Sequence, residues 1–209
     1  SSVAGLVDAF LTGVVAGYGI AIPVGAIAVL IVEVGIRCGF RCAAAAGAGA
    51  ATADFLYAGL AVIGGAALVG VVESLDRPLH IVSAAVLVVI AVVGLRRVGR
   101  TRESVEFSFP DRRELAGTYA RFVGLTIINP TTIVYFAAVI VGLGVADDLS
   151  AAVGVLFAVG AFLASLCWQT FLAGVGAVAG DRLSARAQTG AIVTGNLVIL
   201  VFAIAIVFR

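Results

Sequence analysis

The sequence predicts an all-α integral membrane protein of six transmembrane helices, arranged as two inverted three-helix repeats. Three observations carry this expectation. The 209 residues are 62% hydrophobic and 12% charged, with a mean hydropathy of +1.20. That is about half the charge share of a soluble domain, and more apolar surface than one core can bury, so the surplus has to face lipid. Apolar runs of about 20 residues, the length that crosses a bilayer as a helix, recur between charged clusters. A six-residue step from glycine to proline occurs twice, Gly17 to Pro23 and Gly124 to Pro130, once at the start of each half.

Helix one is expected over 4–34. Ser1 to Gly5 carries no positive charge and leads into an apolar run too long for a signal peptide, so this segment reads as a retained membrane span. Its 31 residues would extend roughly 46 Å against a hydrocarbon core of about 30 Å. A break is therefore expected at Pro23, between Gly19 and Gly25, where the proline frees a carbonyl that needs a protein or water partner at membrane depth. Helix two, 42–72, follows the short turn Gly35 to Arg41, and helix three, 79–98, follows Glu73 to Leu79.

The one long connection, 99–118, carries Arg100, Arg102, Arg112 and Arg113 and alternates Val105, Phe107 and Phe109 with polar residues. It reads as an interfacial segment, with Pro110 and Asp111 as a stop and a helix start. Helix four is expected over 119–143, broken at Pro130, helix five over 151–178 and helix six over 188–208. The chain is then a single transmembrane domain, 1–209, with repeat one at 1–98 and repeat two at 119–209. An odd number of helices per half sends the second half into the membrane upside down, as in secondary transporters.

All thirteen cations are Arg, and eleven of them fall on the side of the first, third and fifth connections. By the positive-inside rule that side is cytoplasmic and both termini lie outside, in the cytoplasmic (plasma) membrane of a bacterium, the inner membrane where there are two. The net charge of +1 leaves no electrostatic footprint for nucleic acid. No nucleophile and base pair, phosphate loop or Walker motif is present, so the chain is not expected to be an enzyme, and no cofactor is expected. Cys38, Cys42 and Cys167 read as reduced thiols rather than a disulfide framework.

Counting depth from the inner boundary singles out Asp54. It lies thirteen residues beyond Arg41, about 20 Å into the bilayer, where a carboxylate costs several kcal/mol and is functional by default. Thr52 is a structural alternative as its partner. Pro23, Pro130, Gln169 and Asn196 lie at similar depth, about 15 to 20 Å. Gly25 beside the first break, and Asn129 and Thr131 beside the second, add backbone and polar groups, so these residues are expected to converge near the midplane. Transporters bind substrates there, on half-helix ends that attract anions and exposed carbonyls that attract cations. Tyr18, Tyr57, Tyr135 and Trp168 are candidate cavity rings. Glu33, four residues before Arg37, reads as half of an i,i+4 pair, and Gly13-x-x-x-Gly17, Gly47-x-x-x-Ala51 and Gly176-x-x-x-Gly180 read as faces for close helix approach.

Two stretches carry a family resemblance. The first hairpin, with Ile22-Pro23-Val24-Gly25, the turn Gly35 to Arg41 and the small-residue helix ending in Ala53-Asp54, resembles the LysE-type (LysE/RhtB) amino-acid exporters, as does Asn129-Pro130-Thr131-Thr132. The resemblance implies six helices in two inverted halves and export of amino acids driven by the proton or ion gradient. Val24, Gly25 and Ala26 stand where many members have a second proline, which bears on the shape of the cavity and so on the substrate. The expected partners are a small amino acid or similar zwitterion, a proton or sodium ion and membrane lipid, and the sequence is compatible with a homodimer. Asp54 is expected to be either the coupling proton carrier or the partner of the substrate's ammonium. Two other readings are a metal or cation exporter of the same superfamily, liganded by Asp54, Glu33 and cysteines, and a membrane-embedded thiol redox protein.

Overall fold

The structure, a computed structural model, describes residues 3–22, 25–98, 111–129, 132, 135 and 151–207, with side chains described outside 64–80, 97–98 and 206–207. Among the described residues six α-helices are delimited: α1 Val3–Ala21, α2 Ala26–Cys38, α3 Phe40–Val98, α4 Arg112–Ile127, α5 Ala151–Arg182 and α6 Ala185–Val207. Among the described residues there is no strand. Val3–Ala21, Phe40–Ile63, Ala151–Arg182 and Ala185–Ala205 are each long and apolar enough to cross a membrane, and Ile81–Arg96 is a shorter apolar stretch. Large apolar side chains point outward, among them Val15 at 72% and Ile63 at 86% exposure, as an exterior solvated by lipid requires. This is an all-α membrane protein.

The expected helix one is two helices. The ladder of α1 ends with Ile22 N–H on the Tyr18 carbonyl (2.9 Å), Ile22 is a bend, and α2 restarts from Gly25 in extended conformation (φ −114°). Pro23 itself lies outside the described residues, but its neighbours behave as a proline dictates: it has no N–H to continue the ladder, and it pushes the residue before it out of the helical region. Both pieces run along α5 in parallel. A Cβ added at Gly13 would stand 2.1 Å from the Phe157 carbonyl oxygen, at Gly17 2.4 Å from that of Ala161, and at Gly176 2.5 Å from that of Val32. The small-residue faces seat backbone on backbone.

The turn from α2 to α3 takes one residue, Gly39, at φ 81°, a left-handed conformation that a side chain disfavours. Cys38 and Cys42 flank it and are joined as a disulfide, their Cα atoms 5.8 Å apart. This corrects the expectation of reduced thiols: the turn brings two cysteines of one helix-to-helix junction within bridging range. Cys167 is free and exposed.

Helices two and three of the sequence reading form a single helical element, α3, with helical backbone through the expected connection Glu73 to Leu79. A straight helix of 59 residues would extend roughly 88 Å. Yet Arg37, three residues before α3 begins, donates through Nη2 to the Gly94 carbonyl near its end (3.4 Å). Ala43, Ala46 and Ala50 of one arm share a core with Leu87 and Ala91 of the other. The element therefore doubles back, and two apolar arms stand where two helices were expected.

Helix four starts earlier than the expected residue 119. Asp111 accepts from Glu114 N–H (2.7 Å) while its own N–H donates to Glu114 Oε2 (3.3 Å), a reciprocal capping box that starts α4 at Arg112. The interfacial stretch 99–110 lies outside the described residues. At its other end α4 stops at Ile127, and Asn129 N–H returns to the Thr126 carbonyl in a tight turn (3.1 Å), in front of Pro130, which is outside the described residues. Tyr119 and Val123 pack against Gly49 and Ile127 lies against Tyr57, so α4 runs parallel to the first arm of α3.

Candidate functional site

Both helix interruptions open onto one cavity of about 330 Å³. Gly25, Ala26, Ile27 and Ala28, the start of α2, form part of its wall. The first intrahelical bond of α2 runs from Val29 N–H to the Gly25 carbonyl, so the preceding N–H groups have no helical acceptor. Among the described residues no side chain caps them. They present the positive end of a helix dipole to the cavity. From the other half come Thr126, Ile128 and Asn129 at the end of α4, with Thr132 and Tyr135 beyond it.

The two ends are treated differently. The carbonyls freed where α4 stops are taken up by α3: Tyr57 Oη donates to the Ile127 carbonyl and Ser83 Oγ to that of Ile128, one hydroxyl from each arm. Tyr135 Oη donates to the Ala16 carbonyl in α1 (2.8 Å), and Gly19 makes room for this ring, since a Cβ there would meet its hydroxyl at 2.2 Å. The end of α4 is thus tied down, and among the described residues the start of α2 is left open. Removing one tie, by Tyr57→Phe or Ser83→Ala, should cost about 1 kcal/mol, the net worth of a hydrogen bond. A thermal melt of the purified variants checks this, and melting equal to wild type would show that the ties are ornamental.

Asp54 is 3% exposed and faces the cavity from α3. Ser165 Oγ of α5 donates to its Oδ2 at 2.6 Å. Thr52, the structural partner weighed from sequence, donates instead to the Ala48 carbonyl (2.8 Å). Gln169, one turn beyond Ser165 on α5, also lines the cavity; its Oε1 and the Thr126 Oγ1 are buried with no hydrogen-bond partner among the described residues. Of the seven buried polar or charged side chains described, Asp54, Ser83, Thr126, Thr132 and Gln169 line this cavity. Buried polar atoms demand partners, and two that have none among the described residues, on Gln169 and Thr126, belong to residues of this cavity wall.

Of the site residues expected from sequence, Gly25, Asp54, Asn129 and Gln169 meet at the cavity, while Pro23, Pro130 and Thr131 lie outside the described residues. Asn196 is elsewhere. Its Nδ2 donates to Glu33 Oε2 (2.9 Å) and to the Ile192 carbonyl (2.8 Å), and Glu33 also pairs with Arg37 (2.9 Å). Asn196 was placed by depth alone, and it faces α2 and the second arm of α3, tying α2, α3 and α6 together. Glu33 has the expected i,i+4 partner. Of the candidate rings, Tyr135 reaches the cavity, whereas Tyr18, Tyr57 and Trp168 do not line it. Sequence reasoning missed Ser165, Thr126 and Ser83. Each is a lone hydroxyl residue within an apolar run, a weak signal, and Ser165 at i−4 from Gln169 on one helix face was the most readable.

A family model described as LysE type translocator matches residues 19–209, which takes in both interruptions and every described residue that lines the cavity. The chain belongs to the LysE type translocator family. Comparisons with curated proteins and with solved structures found no match. At the level of the family, this LysE type translocator is a membrane exporter of amino acids or related compounds, not an enzyme.

Proposed function

We propose that this translocator is a secondary exporter of amino acids or similar small zwitterions, driven by an ion gradient across the bacterial cytoplasmic membrane. The observation that carries the reading is the pairing of opposite electrostatics in one cavity: a buried carboxylate, Asp54, and the uncapped start of α2. A zwitterion matches both, its carboxylate on the free N–H groups at Ala26 to Ala28 and its ammonium on Asp54 with Gln169 Oε1 as a second acceptor. Asp54 then supplies coupling by competition, holding the substrate's ammonium in one state and a proton or sodium ion in the other. Gly25, Asn129 and the Pro23 and Pro130 breaks act by shaping the two helix ends, and Thr131 belongs to the second of them.

The halves are read as inverted repeats, residues 1–98 and 119–209 joined by 99–118, with the start of α4 extending back to Arg112. Support comes from equivalent packing: α1 runs parallel along α5, and α4 runs parallel along the first arm of α3, as an axis in the membrane plane would generate. Counterflow in proteoliposomes tests the function. Amino acid loaded inside should drive uptake of labelled amino acid, and an imposed pH or sodium gradient should drive net accumulation. Absence of both would remove the reading.

The Arg count places both termini outside and 99–118 in the cytoplasm. Single cysteines at Ser2 and Thr101 in a background lacking Cys38, Cys42 and Cys167 should differ in sealed cells, with an impermeant thiol reagent labelling only the Ser2 site. Labelling at Thr101 from outside would reverse the orientation.

A further inference from the structure

From the composition of the cavity wall we infer that the solute carried is an amino acid with an uncharged, apolar side chain of the size of valine or leucine, and that basic and acidic amino acids are rejected. This rests on the zwitterion reading above and narrows it.

The argument starts from charge. Among the described residues that line the cavity Asp54 is the one carboxylic acid, and no Arg, Lys or His is among them. Once a zwitterion has placed its ammonium on Asp54 and its carboxylate on the start of α2, the described part of the wall offers no third charge. A lysine or glutamate side chain would enter with a full charge and no counter-charge, at a depth where an unpaired charge costs several kcal/mol. The open polar atoms cannot stand in for one: Gln169 Oε1 lies on the same wall as Asp54 and serves the ammonium, and Thr126 Oγ1 is a single neutral hydroxyl.

Shape points the same way. Ile20 of α1, Val86 and Leu87 of α3, Leu125 of α4 and Phe202 of α6 line the cavity, so four separate helices contribute apolar surface. Such a wall favours an aliphatic chain through the area it removes from water. A volume near 330 Å³ stands at the small end of ligand cavities, enough for one amino acid. Discrimination here comes from what the site lacks, since a missing counter-charge excludes a charged side chain more strongly than a methylene selects among neutral ones.

The test is binding of leucine, valine, lysine and glutamate to the purified wild-type protein in nanodiscs, read by thermal shift and by competition against labelled leucine, with a parallel set on Leu125→Glu. Leucine and valine should bind at least about tenfold more tightly than lysine or glutamate, the least that an uncompensated charge should cost. In Leu125→Glu, lysine should gain on leucine by about the same factor, because the wall then holds a counter-charge. Lysine or glutamate binding wild type as tightly as leucine would overturn the inference and leave amino-acid export standing. If no amino acid binds, the zwitterion reading itself falls. If lysine is rejected by wild type and Leu125→Glu stays folded without gaining it, the wall residues do not set specificity and the inference is likewise overturned.

Discussion

Asp54→Asn should leave the protein folded but abolish accumulation against a gradient, the ratio of amino acid across the membrane falling to about one, because a carrier whose site no longer exchanges the coupling ion has no linkage between the two fluxes. Asparagine keeps the shape and still accepts from Ser165, whose hydroxyl lies 2.6 Å from the carboxylate. What it loses is the charge. A hydrogen bond to a charged group contributes about 1.5 to 3 kcal/mol, so affinity for a neutral amino acid should fall about 10- to 100-fold. Asp54→Ala should add a loss of stability of about 1 to 3 kcal/mol, since the buried Ser165 hydroxyl then has no acceptor. The measurements are binding, gradient-driven accumulation and its pH profile in proteoliposomes. Wild-type transport with an unchanged pH profile would make Asp54 structural. Retained binding with lost accumulation would confine it to carrying the coupling ion and place the ammonium elsewhere.

Gly160→Val and Gly13→Val should destabilise the protein by about 3 kcal/mol each, the upper end for overpacking a core. A Cβ at Gly160 would stand 2.3 Å from the Phe10 carbonyl oxygen, and one at Gly13 2.1 Å from that of Phe157. Both obstacles are backbone, so no side chain can swing away and α1 must leave α5. The same seam holds α1, the helix that ends at the first interruption, so transport should fall with stability. Gly174→Ala in the same helix is the control: nothing lies within 4 Å of its Cβ position, and alanine is the better helix former by roughly 0.5 to 1 kcal/mol. Unfolding in mixed detergent micelles reads all three. If Gly160→Val melts with wild type, the close approach does not hold these helices together.

The features legible in the sequence are those that follow from the bilayer as solvent. Apolar runs of about 20 residues identify membrane helices, because lipid leaves no alternative to internal hydrogen bonding of the backbone. Pro23 and Pro130 mark breaks for a covalent reason, the missing N–H, and α1 and α4 do stop at Ala21 and Ile127, short of them. Asp54 was singled out because a carboxylate far from either boundary is costly wherever the helix faces. Glu33 with Arg37 followed from helix geometry alone.

Depth, however, is one coordinate, and which way a residue faces is another. Asn196 and Gln169 have nearly the same depth in the sequence, yet Gln169 faces the cavity and Asn196 faces Glu33. Rotation about a helix axis is set by packing against neighbours, which a single uniformly apolar run does not encode. For the same reason Ser165, one hydroxyl among apolar residues of α5, became meaningful when α3 brought Asp54 beside it from 111 positions away. Chemistry and depth were thus determined by the chain itself. Tertiary structure decided which polar groups share a cavity, that α3 seals the end of α4 and that the start of α2 stays open, because contacts between helices distant in sequence arise from close packing rather than from any local pattern.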